Sequence, residues 1–155
     1  YHGDGKRDCR CSQRDIINYR NKISGPLLDR IDIHIEVPSM RYQELSSLDK
    51  GEPSAAIRER VVAAREVQRA RFAGSRSVLV NSGMGSKELD KHCVLGEAAH
   101  DLLRMAISEL HFSARAYNRI LKVSRTIADL AGSEAITEEH VSEAIQYRSL
   151  DRAQW

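Results

Sequence analysis

Residues 113–130, SARAYNRILKVSRTIADL, contain the pattern from which the fold class of this chain follows. In and just beyond this stretch, apolar side chains recur at spacings of three and four residues, which places them on one face of an α-helix. These side chains belong to Tyr117, Ile120, Leu121, Ile127, Ala128 and Ala131. The helix is predicted to begin at Ser113 and to stop at Gly132, a favourable C′ residue. Its apolar face requires other elements to cover it.

The neighbouring stretches predict helices that can supply this cover. Residues 97–110 carry apolar side chains at spacings of three and four, and a shorter helix is predicted to begin at Ser86. The last helix is predicted to begin at Thr137, with Glu138 and Glu139 in its first turn, where carboxylates are favoured. Three amphipathic helices joined by short links form a small bundle. The fold class is therefore predicted to be mainly α.

A long arginine-rich helix is predicted to begin after Pro53 and to end at Gly74. One stripe along it is apolar, formed by Ile57, Val61, Ala64 and Phe72. The arginines lie mostly elsewhere, at positions Arg58, Arg65, Arg69 and Arg71. We therefore expect this helix to dock on one side and to display cations on the other.

The N-terminal part of the chain has a different pattern. Ser12 and Asp15 resemble a capping box, which predicts a short helix that ends before residue 24. Residues 31–38, IDIHIEVP, alternate apolar and polar side chains without a break and predict a β-strand. Only residues 77–80 offer a second β-like run, and a lone strand cannot satisfy its backbone groups. We expect its sheet to lie upstream, and pairing with a second copy or with residues 78–80 stays open.

Composition bounds the class of protein. Of the 155 residues, 41% are hydrophobic and 30% are charged, which is the balance of a globular chain. The first residues show no signal-peptide pattern, and no apolar run is long enough for a membrane helix, so a cytoplasmic location is the expectation. A net charge of +2 gives little support for nucleic-acid binding. Three cysteines do not form a secreted disulfide framework and favour a reducing compartment.

The lack of familiar catalytic motifs argues against self-contained catalysis. The sequence contains no G-x-x-x-x-G-K-[ST] loop, no H-E-x-x-H and no G-x-S-x-G. Asp32, His34 and Glu36 share the polar face of the predicted strand, but alternation alone places them there, so a solvated or paired face is expected. Cys9 and Cys11 can supply two of the four ligands that a zinc site requires, but two free thiols are the simpler expectation.

Two segments resemble the magnesium-chelatase-like AAA+ ATPases of the ComM-like (YifB-like) branch. Residues 24–38, SGPLLDRIDIHIEVP, resemble that family's SGPLLDRIDLHVEVP, and residues 113–130 resemble its SARAYDRILKVARTIADL. Residues 51–68 and Arg71 resemble the helix between them, so the resemblance covers nearly the whole chain. Pro53 and Ser124 replace small residues that are more usual in the family. The implied fold is a C-terminal fragment: the end of an α/β core at 1–38, a linker and insert helix at 39–75, and a helical lid at 76–155.

The resemblance implies roles for three arginines. Arg30 matches the arginine finger that is placed against the γ-phosphate bound by a neighbouring subunit, and Arg115 matches the sensor 2 arginine of the lid. Arg119 is a second candidate for contact with the nucleotide. The residues alone favour a surface pair of Arg30 with Asp29 or Asp32, and solvated positions for the two lid arginines. Whether sensor 2 acts on its own or on a neighbouring subunit's ATP is left open.

The resemblance also implies cofactors, partners and a substrate. The parent would be a homo-oligomeric, hexameric ring that uses ATP and Mg²⁺, whereas this fragment lacks Walker A and Walker B, would bind no cofactor tightly and would be inactive alone. The residues at 1–4 resemble those that follow a Cys-Pro-Cys-Gly motif in the family, so a four-cysteine zinc site in the parent could include Cys9 and Cys11. DNA is the implied substrate, through helicase or branch-migration activity during natural transformation.

Two alternatives to this function are kept. In the chelatase branch of the family, a subunit I-like ATPase drives metal insertion into a porphyrin with partner subunits. The chain could also be a non-enzymatic helical module whose arginine-rich helix contacts DNA phosphates. That module predicts salt-dependent DNA binding by the isolated chain, whereas the ATPase-fragment hypothesis predicts little or none.

Overall fold

The helices of the bundle follow the order predicted from the sequence. A computed structural model describes residues 7–37, 51–110 and 112–148. Its helices are α1 Gln13–Arg20, α2 Gly25–Leu28, α3 Ser54–Arg71, α4 Ser86–His92, α5 Glu97–Leu110, α6 Ala114–Leu130 and α7 Glu138–Gln146, with a 3₁₀ turn at Asn81–Gly83. Within these ranges the β-structure is a single bridge between Leu95 and Ile136. The prediction of a mainly α fold is confirmed.

Helix α6 lies at the centre of the bundle because its apolar face is covered from several sides. Ser113 caps it by accepting a hydrogen bond from the amide of Ala116 at 3.1 Å. Helices α3, α4 and α7 pack on α6, and α5 packs on α7. The most deeply buried apolar side chains of α6 are Ala116, Ile120 and Ala128, all fully buried. Of the predicted apolar face, Ile120, Leu121 and Ala128 therefore belong to the core and Ile127 packs against it, whereas Tyr117 and Ala131 are exposed.

The end of α6 has the geometry that the sequence predicts. Gly132 has φ +68°, a left-handed conformation that costs other residues free energy. The amide of Ser133 reaches back to the carbonyl oxygen of Ala128 at 2.8 Å. This contact closes the last turn in the manner of a Schellman motif and directs the chain towards α7.

Helix α3 docks through its C-terminal half. Ala64, Gln68 and the following Phe72 are buried, whereas Ile57 and Val61 are 42% and 45% exposed. The predicted apolar stripe is thus covered at one end only. Helix α4 differs from the prediction at its start, because Gly85 and not Ser86 is the N-cap, and the Gly85 amide donates to Glu88 Oε2 at 2.8 Å.

The predicted strand over residues 31–38 is wrong within residues 31–37, which have no regular secondary structure. Residue 38 lies outside the described ranges. Residues 77–80 form no strand either, so the hairpin between these two segments is not formed. A strand requires a neighbouring strand to accept and donate its ladder hydrogen bonds, and the described residues provide none. Alternation in the sequence marks the capacity for a strand, and the partner decides whether it forms.

Residues 31–37 instead lie against the end of α7. The amide of His34 donates to the carbonyl oxygen of Tyr147 at 2.8 Å, and the guanidinium of Arg148 donates to the carbonyl oxygen of Ile31. His34 is 6% exposed, whereas Ile35 is 72% exposed. The polar side of the alternating pattern is therefore turned inward at His34, and the apolar side is left open.

Candidate functional site

Arg30 lies at the surface, just after the short helix α2. Pro26 is in the first turn of α2, where its fixed φ suits a helix start. The backbone then turns, with the Arg30 amide donating to the carbonyl oxygen of Leu27 at 2.9 Å. The Arg30 side chain is exposed, and its Nη1 donates to the carbonyl oxygen of Pro26 at 3.1 Å. The loop thus holds the guanidinium with a neutral acceptor, and within residues 7–37, 51–110 and 112–148 Arg30 forms no ion pair.

Arg115 and Arg119 lie one turn apart on α6 and have different surroundings. Arg115 is exposed in the first turn of the helix, where the helix dipole favours anions. Arg119 is partly buried and forms an ion pair with Asp32. The pairing expected between Arg30 and Asp32 is therefore replaced by one between Arg119 and Asp32. Among the described residues, no ion pair joins Arg115 to a carboxylate.

The ion pair between Arg119 and Asp32 brings two of the candidate regions together. Asp32 follows Arg30 by two residues, and Arg119 follows Arg115 by four. The loop that carries Arg30 is thereby attached to the helix that carries Arg115. Sequence reasoning did not predict this link, because nothing local relates two side chains that are 87 positions apart.

A buried polar network, which sequence reasoning also missed, joins α3 to α6. Arg71 Nη1 donates to Asp129 Oδ2 at 2.7 Å and to Asn81 Oδ1 at 2.8 Å. Asn81 Nδ2 donates to the same Asp129 oxygen at 2.8 Å, and the Asn81 amide donates to Gln68 Oε1 at 3.1 Å. Arg71 was expected among the solvent-facing cations of α3. It instead points inward, because a buried carboxylate on the partner helix can be compensated there.

Arg125 completes the network around Asp129. Its Nε donates to Asp129 Oδ1 at 3.0 Å, and its terminal nitrogens donate to the carbonyl oxygens of Ser133 and Glu134 at 2.6 and 2.7 Å. Burial raises the pKa of Asp129, but the hydrogen bonds from Arg71 and Asn81 and the two nearby guanidinium charges outweigh it, so the pKa is lowered. The spacing of Arg125 and Asp129 by four residues was the one local signal for this network.

An apolar cavity of about 340 Å³ lies between residues 31–37 and helices α6 and α7. Its walls include Ile33, Ile35 and Ile127, and Lys122 lies at its side. Lys122 Nζ donates to the carbonyl oxygen of Ser82 at 3.0 Å, and desolvation lowers the pKa of this amine. The side chain of Lys122 thus crosses from α6 to the 3₁₀ turn and limits the cavity on that side.

Cys9 and Cys11 lie close together before α1. A hydrogen bond to the backbone of Cys11 lowers the pKa of the Cys9 thiol, and the hydrogen bond with Cys9 raises that of Cys11. Cys93 is buried and donates to the carbonyl oxygen of Leu121 at 3.7 Å, so it is a core residue. In residues 7–37, 51–110 and 112–148, no group of three His, Cys, Asp or Glu side chains could hold a metal ion. The pair Cys9 and Cys11 can supply half of a zinc site.

The class of protein to which this helical bundle belongs is AAA+ ATPase-like. Comparison with protein families supports this class. The model described as "Magnesium chelatase, subunit ChlI C-terminal" matches residues 51–148, and "Magnesium chelatase, subunit ChlI" matches residues 1–45. The chain belongs to this magnesium-chelatase-like family.

Curated relatives come from several bacteria. Competence protein ComM of Haemophilus influenzae is 44% identical over 144 residues, which cover 92% of this chain and 27% of the relative. Uncharacterized protein YifB of Escherichia coli is 39% identical, and YifB of Salmonella typhimurium 38%, each over 92% of this chain and 28% of the relative. The chain therefore spans about a quarter of the length of these relatives.

Of the helices in the described ranges, none is long and apolar enough to cross a membrane.

Proposed function

We propose that this chain supplies two arginines to ATP hydrolysis in an oligomeric ring. The ring is hexameric, as the resemblance to the family implies. Arg30 acts as the arginine finger towards a neighbouring subunit, and Arg115 acts as sensor 2. The observation that carries the proposal is the state of Arg30: its guanidinium is exposed, is held by the carbonyl oxygen of Pro26 and, among the residues that the structure describes, is in no ion pair with an acid. We also infer that the chain has three parts. Residues 1–38 form the C-terminal end of the AAA+ core, residues 39–75 form a linker and insert helix, and residues 76–155 form the helical lid.

The chemistry of phosphoryl transfer explains why an uncompensated guanidinium is suited to this position. Negative charge accumulates on the transferred phosphoryl group, and a cation positioned beside it can raise the rate on the order of 10³-fold or more. A guanidinium already paired with Asp32 would have to break that pair before it could act. Because Arg119 takes Asp32 as its partner, Arg30 is left available.

ATP and Mg²⁺ would be held mainly by parts of a longer protein. The present sequence contains no phosphate-binding loop of the G-x-x-x-x-G-K-[ST] type, so its own contribution is limited to arginines. Arg115 is exposed in the first turn of α6, where the helix dipole adds to its attraction for phosphate. Arg119 is engaged by Asp32, so it is better suited to reporting the position of the Arg30 loop than to binding the nucleotide.

We propose DNA as the substrate on which the ring acts, through helicase or branch-migration activity in the cytoplasm. The name "Competence protein ComM" of one relative supports a role in competence, the state in which a cell takes up DNA. The name of the matching family supports the second candidate, an ATPase for metal insertion into a porphyrin. DNA-stimulated ATPase activity of the longer protein would favour the first, and stimulation by a porphyrin-binding partner would favour the second.

The arginine finger is tested in mixed rings of the longer protein. Arg30→Ala subunits are added to wild-type subunits at increasing ratios, and ATP turnover and nucleotide binding are measured. If the finger acts between subunits, turnover falls with each variant added while nucleotide binding is retained. Arg14→Ala, which removes another exposed arginine, is the matched control and should leave turnover unchanged. Unchanged turnover in rings containing Arg30→Ala would refute the role.

A further inference from the structure

Three arginines form a ridge along one side of α3 that the network with α6 does not use. Arg58, Arg65 and Arg69 are all exposed and lie two turns and one turn apart, so they share a side of the helix. At 1.5 Å per residue this arginine ridge is about 16 Å long. The other two arginines of α3 are engaged, since Arg60 pairs with Glu52 and Arg71 pairs with buried Asp129.

The charges of the ridge are largely available to a ligand. In the described part of the chain, Arg58 and Arg65 have no ion pair, and Arg69 pairs with Glu66. That pair is 72% and 58% exposed, so water competes strongly with it and it contributes little free energy. A polyanion can therefore displace Glu66 at small cost.

Beside the ridge lies a cavity of about 410 Å³ with an apolar wall. Arg65 and Arg69 line one side of it. Phe72, Leu79 and Val80, together with two smaller residues, line the rest. Leu79 is 67% exposed, although it is apolar and lies next to two cations. A ligand with regularly spaced anions and flat apolar groups matches both features. Single-stranded nucleic acid has this character, since its phosphates can bond to guanidinium groups while a base packs on arginine and apolar surfaces.

We propose that the arginine ridge and the adjoining cavity bind single-stranded nucleic acid, with Arg58, Arg65 and Arg69 on the phosphates and one base in the cavity. The proposal rests on DNA as the substrate and adds the surface that contacts it. It replaces the expectation that the isolated ATPase fragment binds little or no DNA with weak, salt-dependent binding. In this proposal Arg60 and Arg71 do not contact the nucleic acid, so only three of the five arginines of α3 bind it. Binding by one chain is weak, because only three phosphates are contacted, and a ring of several copies would strengthen it.

Salt dependence tests the proposal quantitatively. Three phosphate contacts predict a slope of about −2 for log K against log salt on a single strand, and hence an affinity loss of about twenty-fold between about 50 and 200 mM salt. The probe is a fluorescent oligothymidine titrated with the full chain and followed by anisotropy. Arg65→Gln should reduce the magnitude of the slope by about 0.7. The triple variant Arg58→Gln, Arg65→Gln, Arg69→Gln should lose at least about tenfold in affinity at low salt.

A matched control has the same charge change elsewhere. The triple variant Arg10→Gln, Arg14→Gln, Arg20→Gln removes three other exposed arginines and should change affinity by less than about twofold. Equal losses in both variants would show general electrostatic attraction and overturn the proposal, as would failure of the wild-type chain to bind at low salt. Equal binding of polyglutamate of the same charge would indicate that the ridge binds an acidic protein, and would also overturn the proposal.

Failure of this proposal can be distinguished by experiment from failure of the proposed function. DNA stimulation of the longer protein's ATPase that survives the ridge substitutions would reject the ridge and leave DNA as the substrate. Absence of DNA stimulation in the wild-type protein would reject DNA as the substrate. Far-UV circular dichroism of each variant should match the wild type, since all six substituted arginines are exposed.

Discussion

Arg71 and Asp129 are joined by two parallel hydrogen bonds across 58 positions of sequence, with Nη1 to Oδ2 at 2.7 Å. The Asp129 side chain is fully buried and that of Arg71 is 12% exposed. Helices α3 and α6 are thereby held together by a desolvated ion pair whose remaining lone pairs are satisfied by Asn81 and Arg125. The helix that carries the arginine ridge is thus fixed to the helix that carries Arg115.

Removing Asp129 should destabilise the domain strongly. Asp129→Ala leaves two guanidinium groups, those of Arg71 and Arg125, in a buried site without their carboxylate, which costs about 3–5 kcal/mol. Urea unfolding followed by circular dichroism measures the change. Glu66→Ala, which breaks the exposed pair with Arg69, is the control and should cost less than about 1 kcal/mol. Equal effects of the two substitutions would show that the buried pair contributes no more to the free energy of unfolding than the exposed pair does.

The stability of the domain should depend on acid through the same carboxylate. The folded pKa of Asp129 is lowered, despite burial, by hydrogen bonds and charges from its partners. Its contribution is therefore present above the unfolded pKa of about 3.9 and is lost as pH falls through the folded value. The difference in unfolding free energy between wild type and Asp129→Asn should be full at pH 7 and narrow below about pH 4. A difference that stayed constant to pH 2 would contradict this assignment.

The cysteines should differ in reactivity by position. Burial raises the pKa of Cys93 to about 11, and the residue is 5% exposed. A hydrogen bond to the backbone of Cys11 lowers the pKa of Cys9, which lies near the surface. Iodoacetamide at pH 8 should modify Cys9 first, Cys11 next, and Cys93 only after unfolding in urea. Peptide mass spectrometry at timed intervals gives the order, and early modification of Cys93 would contradict the packing around it.

Gly132 should resist replacement because of its backbone. Its φ of +68° is strained for residues with a Cβ, so Gly132→Ala should destabilise by about 1 kcal/mol, although no atom obstructs the new methyl group. Gly74→Ala is the matched control: its site is equally open and its φ is not positive, so the change should stay within about 0.5 kcal/mol. Thermal unfolding of both variants compares them directly, and an equal cost for the two would remove the role assigned to φ.

The sequence predicts the helices well because their signals are local. The spacing of apolar residues in 113–130, the cap at Ser113 and the C′ glycine at Gly132 all lie within or beside one element. The family follows as well, from long strings such as residues 24–38 rather than from single residues. Local patterns and long strings therefore suffice for the mainly α class and for the order of the elements.

The sequence does not predict contacts that depend on a distant partner. Residues 31–37 have the alternation of a strand, but a strand exists only beside another. Arg71 resembles its exposed neighbours in sequence, and only the docking of α3 on α6 places it against Asp129. The candidate site shows the same limit: Arg30 and Arg115 could be nominated from the sequence, whereas the pairing of Arg119 with Asp32 depends on tertiary structure.

The link between Arg119 and Asp32 leads to a prediction about local motion. This pair is 27% and 47% exposed, so breaking it should change global stability by less than about 1 kcal/mol. Its local effect should be larger relative to the rest of the domain, because the pair joins residues 31–37 directly to α6. Asp32→Asn should speed hydrogen exchange at the amide of His34, which donates to Tyr147, by about two- to fivefold. Amides in the middle of α6 should exchange at unchanged rates.

Asp29→Asn is the control for this experiment, because Asp29 lies in the same loop and the pair with Arg119 does not include it. It should leave exchange at His34 unchanged. If Asp32→Asn and Asp29→Asn had the same effect, the loop would be responding to loss of charge in general. If only Asp32→Asn acts, and Arg119→Gln reproduces it, the ion pair is what attaches the Arg30 loop to α6. The double variant should then be no faster than either single one, since each removes the same interaction.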